Sequence, residues 1–286
     1  MPEIPRLRSV LYLPGANERA LEKARGLPAD ALVLDLEDAV AAAAKPVSRE
    51  RVCALIGANA YAGRTVAVRV NAIDTEWHSA DLAAVAIAAP DAVVIPKLGC
   101  GADVLAVQSA LEAAGASDRT KIWAMLETPS AVLHAAQIAS ASPRLTTLIV
   151  GSNDLQAQLH AEPMPGRAPL LTSLSLCVLA ARATARAILD GVYNDIRDLE
   201  GFAAECLQAR QLGFDGKTLI HPAQIEPCNQ VFAPSPEALA KARRVIEAFE
   251  QAASAGIGVA TVDGSMIEQL HVDRARRLLE WADSPI

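Results

Sequence analysis

The 286-residue chain reads as an α/β protein that closes into a (β/α)8 barrel of the TIM type and continues into a C-terminal helical extension. Three observations predict this fold class. Short apolar segments recur eight times, their starts running from residue 10 to residue 216 at a mean spacing of about 29, and one strand with its crossover helix takes ~30 residues. The segments are nearly continuous in Val, Ile, Leu and Ala, as parallel strands covered on both faces are. Helical periodicity fills the intervals between them. A doubly wound open sheet is the competing topology, but eight units suffice for closure, which removes the sheet edges.

In order, the strands are 10–15 (VLYLPG), 31–37 (ALVLDLE), 65–71 (TVAVRVN), 92–98 (AVVIPKL), 121–128 (KIWAMLET), 145–154 (LTTLIVGSND), 188–195 (ILDGVYND) and 216–222 (GKTLIHP). Helical patterns occupy 18–25, 103–114, 130–139 and 199–211. The barrel is expected over 1–225. Residues 226–286 are expected to form a helical lid or oligomerisation arm, with helices at 237–253 and 271–282 around a Gly-rich segment, GIGVATVDGSM. So short a tail is expected to hold no core of its own.

Composition narrows the function classes. Apolar residues make up 52% of the chain, which excludes disorder. Only 3 Trp, 3 Tyr and 4 Phe are present, so the core is aliphatic and a stacking platform for single-stranded nucleic acid is disfavoured. A net charge of −7 gives no footprint for polyphosphate binding. Five widely spaced cysteines (53, 100, 177, 206 and 228) without a CxxC pair suggest reduced, mostly buried thiols in a cytoplasmic protein. The N-terminal stretch reads as a buried strand, not a signal peptide, and no apolar run reaches the ~18 residues of a membrane span.

In parallel barrels the reactive groups sit at the C-terminal ends of the strands. Seven charged side chains cluster there: Asp35, Glu37 and Asp38 after strand 2, Arg69 after strand 3, Lys97 after strand 4, Glu127 after strand 5 and Asp154 after strand 6. Burying them is costly unless they are paired or metal-bound. Glu127 and Asp154 close adjacent strands, which lie ~4.8 Å apart, and two carboxylates so close repel unless a cation lies between them. With no His or Cys among these positions, the oxygen-only set suits Mg²⁺. The alternative pairs these acids with Arg69 and Lys97 as a structural network. The planar fork of Arg69 suits a substrate carboxylate or an enolate oxygen, though Asp35 or Glu37 would satisfy it equally.

Of the acids after strand 2, one is expected to orient metal-bound water and another to cap the following helix. Asp38 is assigned to catalysis, and Glu37, Ser152 and Asn153 to substrate binding. His78, His134, His160 and His271 fall in loop or helix contexts that favour structural roles, while His221 ends strand 8 on the functional face. Lys217 sits early in strand 8, towards the opposite end of the barrel, which argues against a Schiff base there. No GxSxG, Walker, GxGxxG or HExxH motif is present.

The segments RSVLYLPGAN, LVLDLEDAV followed by Lys45, VRVN, VVIPKL, LETPSAV, GSNDL, GFDGKTLIHP and VDGSMIE occur in an order that resembles the citrate lyase β-subunit-like family of the HpcH/HpaI aldolase superfamily, across residues 7–280. That family includes malyl-CoA and citramalyl-CoA lyases. The resemblance implies a Mg²⁺-dependent barrel that cleaves a malyl-, citramalyl- or citryl-type thioester into a 2-oxo acid and an acyl thioester. It makes Glu127 and Asp154 the metal ligands and Arg69 the substrate arginine. It further implies a homotrimer or hexamer whose C-terminal segment covers a neighbouring site. There Glu268 stands where several of the CoA lyases carry Asp as an acid/base group, with Asp263 five residues earlier as the other candidate. The substrate is then an acyl-CoA thioester. Two alternatives are an acyl-CoA thioesterase on the same scaffold and the β subunit of a citrate lyase complex, whose substrate rides on an acyl carrier protein.

Overall fold

Residues 6–254, 256 and 258–283 are described by the computed structural model. Residues 1–5 of the expected barrel range, and Ala255, Ile257 and 284–286 of the expected arm, lie outside the described residues.

Eight parallel strands pair in chain order and the last pairs with the first, so the sheet is a closed barrel and not a doubly wound sheet. They are β1 (Ser9–Pro14), β2 (Ala31–Asp35), β3 (Thr65–Arg69), β4 (Ala92–Ile95), β5 (Lys121–Leu126), β6 (Leu145–Val150), β7 (Ala187–Asp190) and β8 (Gly216–Leu219). The expected strands mostly overshoot. Segment 188–195, for example, ends its pairing at Asp190, opposite Lys217, and the polar residues beyond turn away into loops at the mouth.

The outer layer begins with α1 (Glu18–Lys23), α2 (Lys45–Gly57), α3 (His78–Ala88) and α4 (Gly101–Ala113). It continues with α5 (Pro129–Leu133), α6 (Ala135–Ser140), α7 (Ser152–Gln158), α8 (Leu171–Ala183), α9 (Leu199–Leu212) and α10 (Ile225–Phe232).

Strand side chains alternate between the two faces. Val10, Ala31, Val33, Ala67, Val94, Trp123, Met125, Ile149 and Leu189 fill the barrel interior, with Tyr12 packed against them. Leu11, Leu32, Val68, Ile95, Leu126, Leu148, Ile188 and Leu219 belong to the larger cluster between sheet and helices. This parity positions the site. Asp35 continues the inward series of Ala31 and Val33, Arg69 that of Ala67, and Glu127 that of Trp123 and Met125.

The barrel unit extends to Phe232, beyond the expected boundary at 225, because α10 packs on α9, β1 and β8. The second unit, from Ala233 onward, holds α11 (Pro236–Ser254), a hairpin of β9 (Ala260–Val262) and β10 (Ser265–Ile267), and α12 (Gln269–Asp283). Contrary to the expectation, it holds a small core of its own, which includes Ala242, Val245, Val262, Ile267, Val272 and Ala275, because the hairpin adds apolar side chains to those of the two helices. The hairpin replaces part of the expected Gly-rich loop. Val262 pairs with Ser265 across Asp263 and Gly264, whose φ values of 50° and 76° follow the type I′ pattern. Asp-Gly between β-capable residues is the usual signal for that turn. No helix among the described residues is long and apolar enough to cross a membrane.

Candidate active site

A cavity of about 430 Å³ opens where β1, β2, β3, β5, β6 and β8 end. Tyr12, Asp35, Asp38, Arg69, Met125, Glu127, Ser152, Asn153 and Asp154 are among the residues lining it. Six of the eight residues assigned to the site from sequence are therefore at one cavity. Glu37 is buried at the edge of the same charge cluster. Glu268 belongs to the second unit, where it is exposed and its backbone N–H donates to His271 Nδ1 at 3.0 Å.

Arg69 is held by both acids that stood as its possible partners. Its Nε and Nη2 donate to the two Asp35 oxygens at 2.7 Å each, and Nη1 lies 3.0 Å from Glu37. Burial opposes the guanidinium charge, and Asp35 more than offsets it, so its pKa lies above the ordinary value. Asp35 also accepts the backbone N–H groups of Glu37 (2.9 Å) and Ala39 (3.1 Å), which closes the turn after β2. Of the three acids after β2, Asp35 is thus the one that holds the backbone.

Lys97 links this network to Glu127. Its Nζ lies 2.9 Å from Glu37 and 3.4 Å from Asp38, while its backbone N–H donates to Glu127 Oε1 at 2.7 Å. Lys97 has φ at 55°, in the left-handed region, where a non-glycine residue costs ~1–2 kcal/mol. That geometry turns one residue's main chain and side chain towards different carboxylates.

Glu127 is only 1% exposed. Burial pushes its carboxyl up to about 7, against the Lys97 N–H, and the nearby charges of Asp154 and Glu37 push the same way. Gly151 leaves room for it, since a Cβ there would overlap both the Glu127 carboxylate and its Cβ. Among the described residues no three His, Cys, Asp or Glu side chains converge as a ligand set. Two oxygen donors, one of them buried and electrostatically strained, fit a Mg²⁺ ion, which takes one or two carboxylates and keeps several waters.

The remaining residues divide into site and scaffold. Asp38 is an exposed acid on the cavity wall, and Ser152 is a buried residue lining the same cavity. Asn153 exchanges amide hydrogen bonds of 2.8 and 3.2 Å with Asn194, tying the first turn of α7 to the loop after β7. His221 caps the turn after β8 by accepting from Ala223 N at 3.1 Å. His78 is buried against the Asn71 carbonyl at 2.7 Å. Asp263 pairs with Arg244 at 3.0 Å within the second unit.

Lys217 lies near the start of β8, as expected, where it stands opposite Ser9, the first residue of β1. It belongs to the outward series of β8 and is fully buried beneath α9, 2.6 Å from Asp190 and 2.7 Å from Glu205. Register brings the ion pair together, because Lys217 also stands opposite Asp190, the last residue of β7. Burial pushes Asp190 up, but Lys217 and Arg167 override it and leave its pKa below the ordinary value.

Residue-by-residue reading missed two participants. Lys45 is buried and donates to the Leu36 and Glu37 carbonyls (2.9 Å each) and to Asn71 Oδ1 (2.5 Å), under the Trp77 ring, which fixes the loop carrying the acids. Tyr12 lines the cavity with its ring 4.9 Å from the Arg69 guanidinium. The inward parity of β1 was the signal for Tyr12. For Lys45 only the motif order pointed to a role.

A closed barrel carrying its charges at the C-terminal mouth is the architecture of barrel enzymes. This chain belongs to the HpcH/HpaI aldolase/citrate lyase family, whose model matches residues 8–222, and a C-C bond lyase model of the TIM-barrel fold matches 173–284. It is 51% identical to a (3S)-malyl-CoA thioesterase of Cereibacter sphaeroides, over 97% of this chain and 95% of that one. It is 37% identical to the citrate lyase subunit beta of Escherichia coli K12, over 96% and 93%. Among solved structures it is similar to the CitE protein of Mycobacterium tuberculosis in complex with magnesium, acetoacetate and coenzyme A, at a TM-score of 0.77 and 31% identity over 97% of this chain and 98% of that one.

Proposed function

We propose that this chain is a Mg²⁺-dependent enzyme acting on a malyl-type CoA thioester, and that its net reaction is hydrolysis of the thioester. The observation that carries the site is the buried Glu127 carboxylate facing the charge of Asp154 at the barrel mouth. Magnesium in the CitE structure supports the choice of metal. Hydrolysis, the second reading on the motifs alone, moves ahead of cleavage because the 51% relative is a (3S)-malyl-CoA thioesterase.

In this reading Glu127 and Asp154 hold the cation, and Gly151 and the Lys97 N–H keep Glu127 in position. Bound Mg²⁺ would act as a Lewis acid towards the carboxylate and hydroxyl oxygens of the malyl end. Arg69, braced by Asp35, supplies positive charge to the same end of the substrate. Asp38 takes the proton of the attacking water. The new C–O bond then replaces the C–S bond, and the departing thiolate is protonated to free CoA. Ser152 and Asn153 line the substrate's path, and Glu37 keeps Arg69 and Lys97 apart and neutralised. The family resemblance extends the reading to a trimer or hexamer in which Glu268 of one subunit serves a neighbouring site, which sedimentation with a Glu268→Gln variant tests.

Carbon–carbon cleavage is the second reading, supported by the C-C bond lyase model match over residues 173–284. One experiment separates the two. (S)-Malyl-CoA is incubated with and without Mg²⁺, and malate, free CoA, glyoxylate and acetyl-CoA are scored by mass spectrometry. Mg²⁺-dependent malate and free CoA without glyoxylate are expected. Glyoxylate with acetyl-CoA would reverse the order of the readings, and no Mg²⁺-dependent turnover would overturn both.

A further inference from the structure

Tyr12 is part of the inward series of β1, lines the cavity and is held with its ring 4.9 Å from the Arg69 guanidinium. Among the described residues its hydroxyl has one hydrogen-bond partner, donating to the Met125 thioether sulfur at 3.8 Å. A thioether is a weak acceptor, so exchanging it for a charged oxygen costs little. Neighbouring donors are already committed: Arg69 Nε and Nη2 to Asp35, and the Lys97 N–H to Glu127. Burial holds the phenol above its ordinary pKa, so it stays protonated and able to donate.

We propose that the Tyr12 hydroxyl is a catalytic hydrogen-bond donor to the thioester oxygen of the substrate, stabilising the negative charge that builds there. The role rests on the thioester reading above, but not on the choice between its two reactions. Water addition makes that oxygen the oxyanion of a tetrahedral adduct, and carbon–carbon cleavage makes it the oxygen of an enolate. In either case Tyr12 keeps its proton. A preorganised donor aimed where charge develops acts on kcat more than on substrate binding.

The test compares Tyr12→Phe and Tyr12→Leu with the wild type on (S)-malyl-CoA at saturating Mg²⁺. Phe keeps the ring against Arg69 and removes only the hydroxyl. Its kcat is expected to fall on the order of 100-fold with KM unchanged, while its circular dichroism and melting temperature match the wild type. Wild-type kcat in Tyr12→Phe overturns the proposal, as does a loss confined to KM. Retained activity in Tyr12→Phe with loss in Tyr12→Leu also overturns it, because the ring alone then matters. A wild type inert towards thioesters defeats the functional reading and this role together. An active wild type matched by Tyr12→Phe defeats only the role.

Discussion

Replacing Glu127 by Gln separates the cost of the buried charge from the space its side chain fills. Gln keeps the oxygen that accepts the Lys97 N–H at 2.7 Å and resembles the protonated acid. The Glu127 carboxyl is raised from 4.5 to about 7 by burial. The folded chain therefore retains a proton that the unfolded chain has released between those values. The contribution is full below about pH 4.5 and is lost as the pH rises through about 7. At 1.36 kcal/mol per unit, wild type loses about 3 kcal/mol relative to Glu127→Gln over that window. With ~2–4 °C per kcal/mol in a protein of this size, the metal-free variant should melt roughly 6–12 °C higher at pH 8 and at the same temperature near pH 4.5. Mg²⁺ should raise the wild-type melting temperature at pH 8 and leave the variant's unchanged. Scanning calorimetry in chelator, then in Mg²⁺, reads both effects. Parallel pH profiles with equal Mg²⁺ shifts would refute the account of Glu127 as a strained, cation-seeking carboxylate.

Two further perturbations test parts of the site separately. Gly151→Ala puts a methyl group onto the Glu127 side chain and should lower Mg²⁺ affinity or Mg²⁺-dependent turnover about 10- to 100-fold with the barrel intact, as read by Mg²⁺ titration of the rate. Lys217→Met removes a fully buried cation from Asp190 and Glu205 and should destabilise the barrel by about 3 kcal/mol, the low end for a broken buried pair because Arg167 still faces Asp190. Urea unfolding measures that loss, and an unchanged midpoint would remove the structural role given to this network.

Much of the fold was legible because it rests on local signals. Strand count follows from the recurrence of apolar runs at the length of one strand-helix unit, and closure follows from having eight of them. The charged residues at strand ends were visible for the same reason, since an acid or an arginine interrupting a Val-rich segment stands out. The Asp263-Gly264 hairpin was also legible from its turn residues, although helices flanking a loop were expected there. Strand ends were harder to read, because apolar residues such as Val70 and Leu98 continue past the last ladder bond into buried loops.

The sequence alone determined the (β/α)8 class, the carboxylates after β5 and β6, and, through the order of eight short motifs, the family. The tertiary structure decided which charges neutralise one another and which face the cavity. Arg69 and Asp35 meet across neighbouring strands although 34 residues separate them. Lys217 turned out to lie outside the barrel, paired with an acid 27 residues away. Tyr12, an ordinary strand residue in the sequence, became a cavity-lining side chain whose ring lies against the Arg69 guanidinium. Periodicity is local and survives in one dimension. Pairing depends on register between strands and on which face each side chain takes, and these are set only when the barrel closes.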